Sequence, residues 1–139
     1  MTKLHSFGNL SPVMKKILVL VLLCFSVSGA SLDSFLDAIA KVESSKNPKA
    51  VNKKESAFGL YQIRPGYFKD SGVNGKHSDV FKPEVARKVV ISYFRKHEPE
   101  ALKKLDFETL ARCHNGGCGW RKHKSATNVY WKKVQKNLK

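Results

Sequence analysis

Apolar residues recur along the chain in distinct rhythms, and these mark out its parts. Leu32, Phe35, Leu36 and Ile39 stand at i, i+3, i+4 and i+7, the spacing of one buried helical face. That predicts a first helix over 32–44, with Ser31 or Asp33 available as its N-cap. The longest helical pattern runs from Lys82 to His97, where Val85, Val89, Val90, Tyr93 and Phe94 make a broad apolar face. Another helix is expected from Phe107 to about His114, with Asp106 as N-cap and Gly116-Gly117 as its stop. Pro65 opens a short helix through Lys69, ended near Gly72. A last helix, capped by Ser125, carries Val129, Tyr130 and Val134. Between the first helix and Pro65 the rhythm breaks. Asn47-Pro48 through Glu55 is polar and punctuated, as in a loop or small hairpin. Ala57 to Ile63 is a short apolar run that fits either a buried strand or the start of a core helix. No internal repeat or low-complexity linker interrupts the chain. One compact unit is expected, mainly α, with a short irregular or β segment.

Upstream of the first helix the pattern changes character. Met14-Lys15-Lys16 is followed by an apolar run from Ile17 to Val27, interrupted at Ser26, and then Ser28-Gly29-Ala30. A short positive region, an apolar core and small residues before a cut make a secretory signal. The run is too short for a comfortable permanent span. Residues 1–30 are therefore expected to be an N-terminal extension and signal, cut after Ala30, and 31–139 the working domain of a secreted or periplasmic protein. The alternative is an uncleaved segment that anchors the protein to the membrane. Residues before Met14 are unusual for a signal, which suits a translation start at Met14. Cys24 lacks a small residue before it, so no lipoprotein site is read there.

Composition sharpens this. A chain of 139 residues with 42% hydrophobic positions makes one globular domain, which excludes a multidomain enzyme, a collagen-like fibre and a polytopic membrane protein. Lys and Arg number 26 against 11 Asp and Glu, a formal charge of +15. The segment after Ala30 keeps all 11 acids and sheds three lysines, so the excess falls only to +12. Such an excess calls for an anionic partner: nucleic acid, a membrane surface or an acidic polymer of a cell envelope. Export disfavours nucleic acid. The clusters Arg121-Lys122-His123-Lys124 and Lys132-Lys133, Lys136 and Lys139 are the natural contacts for envelope polymers.

Two cysteines lie beyond the signal, in Cys113-His114-Asn115-Gly116-Gly117-Cys118. In an exported protein such a pair reads most simply as a small disulfide loop. His114 and His123 nearby permit a zinc reading, but the spacing matches no common structural zinc pattern. No metal and no cofactor are expected.

The informative residue is Glu43. Extending the first helix at about 100° per residue brings Glu43, at i+11, to within about 20° of Leu32. Asp33 and Asp37 fall off that stripe, as surface acids do. A carboxyl at the end of an apolar stripe is partly withdrawn from water, the setting in which a general acid holds a proton for a leaving oxygen. The plainer reading is a helix end with its acid in water.

Glu43-Ser44, then Gly59-Leu60-Tyr61-Gln62-Ile63 with Pro65 behind it, resembles the catalytic signature of soluble lytic transglycosylases, within the lysozyme superfamily. That family carries its one catalytic Glu in an E-S motif, followed by G-L-M-Q-I and Y-N-A-G. Ala111-Arg112-Cys113-His114-Asn115-Gly116-Gly117, with Tyr130-Trp131 downstream, is similar to the A-R-x-H-N-G-G and Y-W of invertebrate-type lysozymes. The resemblance spans most of Leu32 to Val134 and implies an α+β lysozyme-like fold whose short β segment lines a sugar cleft. It also implies a monomer that attacks peptidoglycan glycan strands. Glu43 would be acid and then base. Gln62 and Tyr61 would line the cleft, and Asn115, with His114 beside it, would position the substrate. Tyr61 stands where the family has Met, and Asn52 where many members have Ser; Asn52 and Ser56 remain donors for sugar oxygens. Hydrolysis needs a second carboxylate, which invertebrate-type lysozymes supply as an Asp after the Glu. Here only Glu55 could serve. Lytic transglycosylases need none, because the muramic 6-hydroxyl attacks and leaves a 1,6-anhydro sugar. The missing Asp and the Gly-Leu-Tyr-Gln-Ile motif favour transglycosylation at the MurNAc-GlcNAc β-1,4 bond. The rival class is a cationic wall- or membrane-binding protein without chemistry.

Overall fold

The computed structural model describes residues 29–138; the expected signal segment up to Ser28, Cys24 with it, and Lys139 lie outside the described residues. Helix α1 (Leu32–Ser44) starts where its sequence says it should. The Ser31 hydroxyl oxygen accepts a hydrogen bond from the Ser34 amide, and the Ser34 hydroxyl oxygen accepts one in return from the Ser31 amide. A hairpin follows, β1 (Val51–Asn52) against β2 (Ala57–Phe58), antiparallel with Val51 opposite Phe58. The apolar run 57–63 is thus neither a full strand nor a helix. After two strand residues it turns on itself and returns through a bridge between Phe58 and Ile63. Helix α2 (Pro65–Ser71) begins at its proline and ends at Gly72 in the left-handed conformation.

A short 3-10 helix (His77–Phe81) leads into α3 (Pro83–His97), the longest helix. Ala86, Val89, Val90, Tyr93 and Phe94 are its buried face. Helix α4 (Pro99–Lys104) and that 3-10 helix carry too few turns to show a period in the sequence. Helix α5 (Phe107–Gly116) is capped by Asp106 and stopped by Gly117. The C-terminal region differs from expectation. Residues Trp120–Thr127 form 3-10 turns broken at His123, and α6 (Asn128–Asn137) follows directly, so Ser125 caps nothing.

The core is one cluster. Phe35, Leu36 and Ile39 of α1 meet Ile63, Val80, Val89, Val90, Phe94, Leu110 and Val134. Phe35 stacks on Phe107 with centroids 4.6 Å apart, joining α1 to α5. Buried Arg112 ties the irregular stretch to α5, donating to the Lys124 carbonyl, Thr127 and Asn128. Helix α6 then packs across both α1 and α5. That arrangement brings the end of α1, the hairpin, α2 and the end of α5 around one concavity. Among the described residues no helix is long and apolar enough to cross a membrane.

Candidate active site

The last turn of α1 is locked before it can fray. Ser45 takes a left-handed conformation, and its amide and that of Lys46 close back on Ala40 and Lys41. Ser44 donates from its hydroxyl to the Leu60 carbonyl at 2.8 Å, pinning the next segment to the helix end. That segment has its own fixed points. Gly59 has φ +75°, and a Cβ there would stand 2.5 Å from the Val80 carbonyl oxygen, so only glycine fits. Gln62 also has positive φ and donates its side-chain amide to the Gly59 carbonyl at 3.0 Å. A non-glycine residue held there marks strain tolerated beside a site.

Glu43 stands at the end of this construction with its side chain 19% exposed. Its Oε1 is 3.4 Å from Nε2 of His114, a side chain only 4% exposed. The carbonyl of Tyr61 can only accept, so Nε2 carries the hydrogen and donates to it at 3.1 Å. Nδ1 then accepts from the Tyr67 hydroxyl at 3.0 Å. Tyr67 stacks on Tyr93 at 3.7 Å, which fixes its ring. Burial pushes the Tyr67 phenol well above its ordinary value, and Cys113, Tyr93 and Glu43 add to the push. The Tyr130 hydroxyl is buried with no hydrogen-bond partner among the described residues. Burial likewise drives it well up, with the Glu43 carboxylate adding to the effect. Both phenols stay protonated, and both can donate.

These groups line a cleft of about 710 Å³. Gln62, Asn115, Asn52 and Glu55 all line it. His114 lines it too, but its nitrogens are taken by Tyr67 and the Tyr61 carbonyl, so it packs beside Glu43 with neither nitrogen left for a sugar. Two expected lining residues are elsewhere. Tyr61 is 5% exposed with its ring in the core near Arg87, and burial raises its phenol while Arg87 opposes that; only its carbonyl serves the site. Ser56 sits exposed in the hairpin turn, outside the cleft. Cys113 and Cys118, expected as a disulfide, are free thiols: Cys113 is packed into the core side of α5 while Cys118 lies exposed past the Gly117 stop. Burial pushes the Cys113 thiol up to about 12.

Glu55 is held by Arg64, whose Nη2 and Nε reach its Oε2 at 2.9 and 3.2 Å. Asp70 is a third cleft carboxylate, absent from the sequence reading because a lone acid in a short helix has no pattern. Hydrogen bonds from Lys96 and His97, both 2.5 Å, hold its carboxyl below the usual range. Tyr67 is likewise alone in that short helix, whereas Tyr93 reads in the sequence as core and Lys133 as part of a basic surface cluster. Among the described residues no group of three or more His, Cys, Asp or Glu gathers as a metal site. The cleft thus offers one sheltered carboxyl, the Tyr130 phenol as a donor beside it, and amide side chains along its walls.

The model of the transglycosylase SLT domain matches residues 28–137. The chain is similar to invertebrate-type lysozyme 6 of Caenorhabditis elegans, 32% identical over 128 residues, covering 82% of this chain and 91% of the relative. Its fold is similar to a chain in the crystal structure of Aeromonas hydrophila PliI in complex with Meretrix lusoria lysozyme. There the TM-score is 0.63 and the identity 28%, over 77% of this chain and 89% of that one. With the family model matched over residues 28–137 and a relative 32% identical across most of both chains, the chain belongs to the transglycosylase SLT domain family of the lysozyme-like superfamily.

Proposed function

We propose that the protein cleaves the MurNAc-GlcNAc β-1,4 bond of peptidoglycan by lytic transglycosylation, with Glu43 as its acid and base. The observation that carries the reading is Glu43 itself, sheltered at the cleft floor between His114 and Tyr130. Glu43 gives its proton to the glycosidic oxygen as the C1–O bond breaks. The muramic 6-hydroxyl then bonds to C1, and its proton returns to Glu43. No water is consumed, and the sugar leaves as a 1,6-anhydro product. The Tyr130 hydroxyl, committed to no other group among the described residues and adjacent to Glu43, is free to donate to the carboxylate that forms midway. Gln62, Asn52 and Asn115 supply amide groups for hydroxyl and acetamido oxygens.

A second reading has its own support. Glu55 lines the same cleft, so hydrolysis with Glu55 as the second carboxylate is the alternative. Its pairing with Arg64 and its half-exposed side chain weigh for transglycosylation. Mass spectrometry of products from purified peptidoglycan separates the two. Anhydro-muropeptides are expected from the wild type, falling about 10²–10⁴-fold in Glu43→Gln. Reducing-end products that vanish in Glu55→Gln would move the assignment to a hydrolase. Release of nothing from the wild type would leave a cationic wall binder.

A further inference from the structure

Two basic side chains of Lys or Arg line the cleft, Arg64 and Lys133. They are not equivalent. Arg64 is committed to Glu55 through two nitrogens. Lys133 makes no ion pair among the described residues, and it stands on the exposed side of α6. It follows Tyr130 by three positions, so the two Cβ atoms lie about 5–6 Å apart on one helix face. Tyr130 is the residue whose hydroxyl stands beside Glu43. Lys133 therefore stands on the wall of the same cleft as Glu43, one helical turn beyond Tyr130.

An unpaired ammonium on a cleft wall gains little from a neutral glycan, whose hydroxyl and acetamido groups the amide side chains already suit. Muramic acid differs from its neighbour by a lactyl group at O3, and that group carries a peptide with free carboxylates. Building on the proposed function, we infer that Lys133 is a specificity-determining residue that binds a stem-peptide carboxylate beside the scissile bond. It makes peptide-bearing, anionic strands better substrates than the same strands without those charges. The remaining lysines of α6 act differently. Lys132 and Lys136 lie outside the cleft lining and attract polyanions only at long range.

The test uses soluble, uncross-linked glycan strands at low salt, native and after carbodiimide amidation of their carboxyl groups. For the wild type, amidation is expected to raise KM about two- to fivefold and leave kcat unchanged, the range for one solvent-facing charge pair. Lys133→Gln should show the raised KM on native strands and no further change on amidated ones. Lys133→Arg should restore the wild-type preference, and Lys136→Gln, with the same loss of charge, should keep it. A Lys133→Gln variant that still discriminates as the wild type does overturns the inference. So does a wild type that cleaves both substrates with one KM, which leaves the proposed function standing. A wild type that cleaves neither overturns that function and this inference together.

Discussion

At Tyr130 stability and the proposed activity make opposite demands on a single residue. Its ring fills the space between α6 and His114, while its hydroxyl is buried without a partner among the described residues. A buried hydroxyl left unbonded costs about 1–3 kcal/mol, so folding alone gives no reason to keep it. Tyr130→Phe is accordingly expected to hold or raise the melting temperature while lowering kcat about tenfold, measured on one preparation by calorimetry and product release. Equal kcat in the two proteins would make the hydroxyl a bystander. Glu43 was legible because an acid on an apolar stripe breaks a rule. The role of His114 was not, since its partners, Tyr67 and the Tyr61 carbonyl, are 47 and 53 residues away in sequence. The Cys113–Cys118 spacing likewise said nothing of which side of α5 Cys113 would take.

Among elements, length decided what the sequence revealed. Helices α1, α3 and α5 each run long enough to repeat a buried face, and their caps at Ser31 and Asp106 follow from side-chain chemistry. The two-residue strands and α4 offer no repeat, and the fold of residues 57–63 depends on Val80 and Ser44 from other elements. The junction of α3 and α4 hides another such dependence. Buried Glu98 accepts from the Trp120 indole at 2.9 Å and pairs with Arg121. Burial alone would raise its carboxyl, but the bonds from Arg121 and Trp120 outweigh that and hold it below the ordinary range. A carboxyl lowered in the folded state binds fewer protons there than in the unfolded chain. Its stabilisation is complete above the unfolded value, about 4, and is lost as pH falls through the lower folded one. Asp70, lowered by Lys96 and His97, acts with the same sign. Melting temperature is expected to be level from pH 7 to about 5 and to drop below about 4. Glu98→Gln should cost about 1–2 kcal/mol at neutral pH and make the acid decline shallower, because Gln keeps a hydrogen bond and loses the charge. An unchanged acid decline in that variant would assign it to other carboxyls.

At the scale of the whole molecule the dominant quantity is charge. An excess of +15 creates a field that reaches about 10 Å at 0.1 M salt, well past any single contact. Its ion pairs are mostly solvent-facing, such as Lys46 with Asp37 and Arg87 with Asp33, so they add little to stability. The excess is better understood through association than through folding. A wall rich in anionic polymers would draw the protein in by this field, whereas the chemistry proposed for Glu43 would take place in a cleft where Glu55 and Asp70 each already have partners. The two steps should therefore respond differently to salt. Binding of Glu43→Gln, which is expected not to cut, to whole walls should weaken steeply between 0.05 and 0.5 M NaCl, as about 14 Å of screening length shrinks to about 4 Å. Turnover of a short neutral glycan by the wild type should change less than about twofold over the same range. Measured together, by sedimentation of walls and by product release, a shared salt dependence would mean that the field acts within the cleft itself. A dependence confined to walls would assign the basic surface to capture and leave the reaction to the few residues around Glu43.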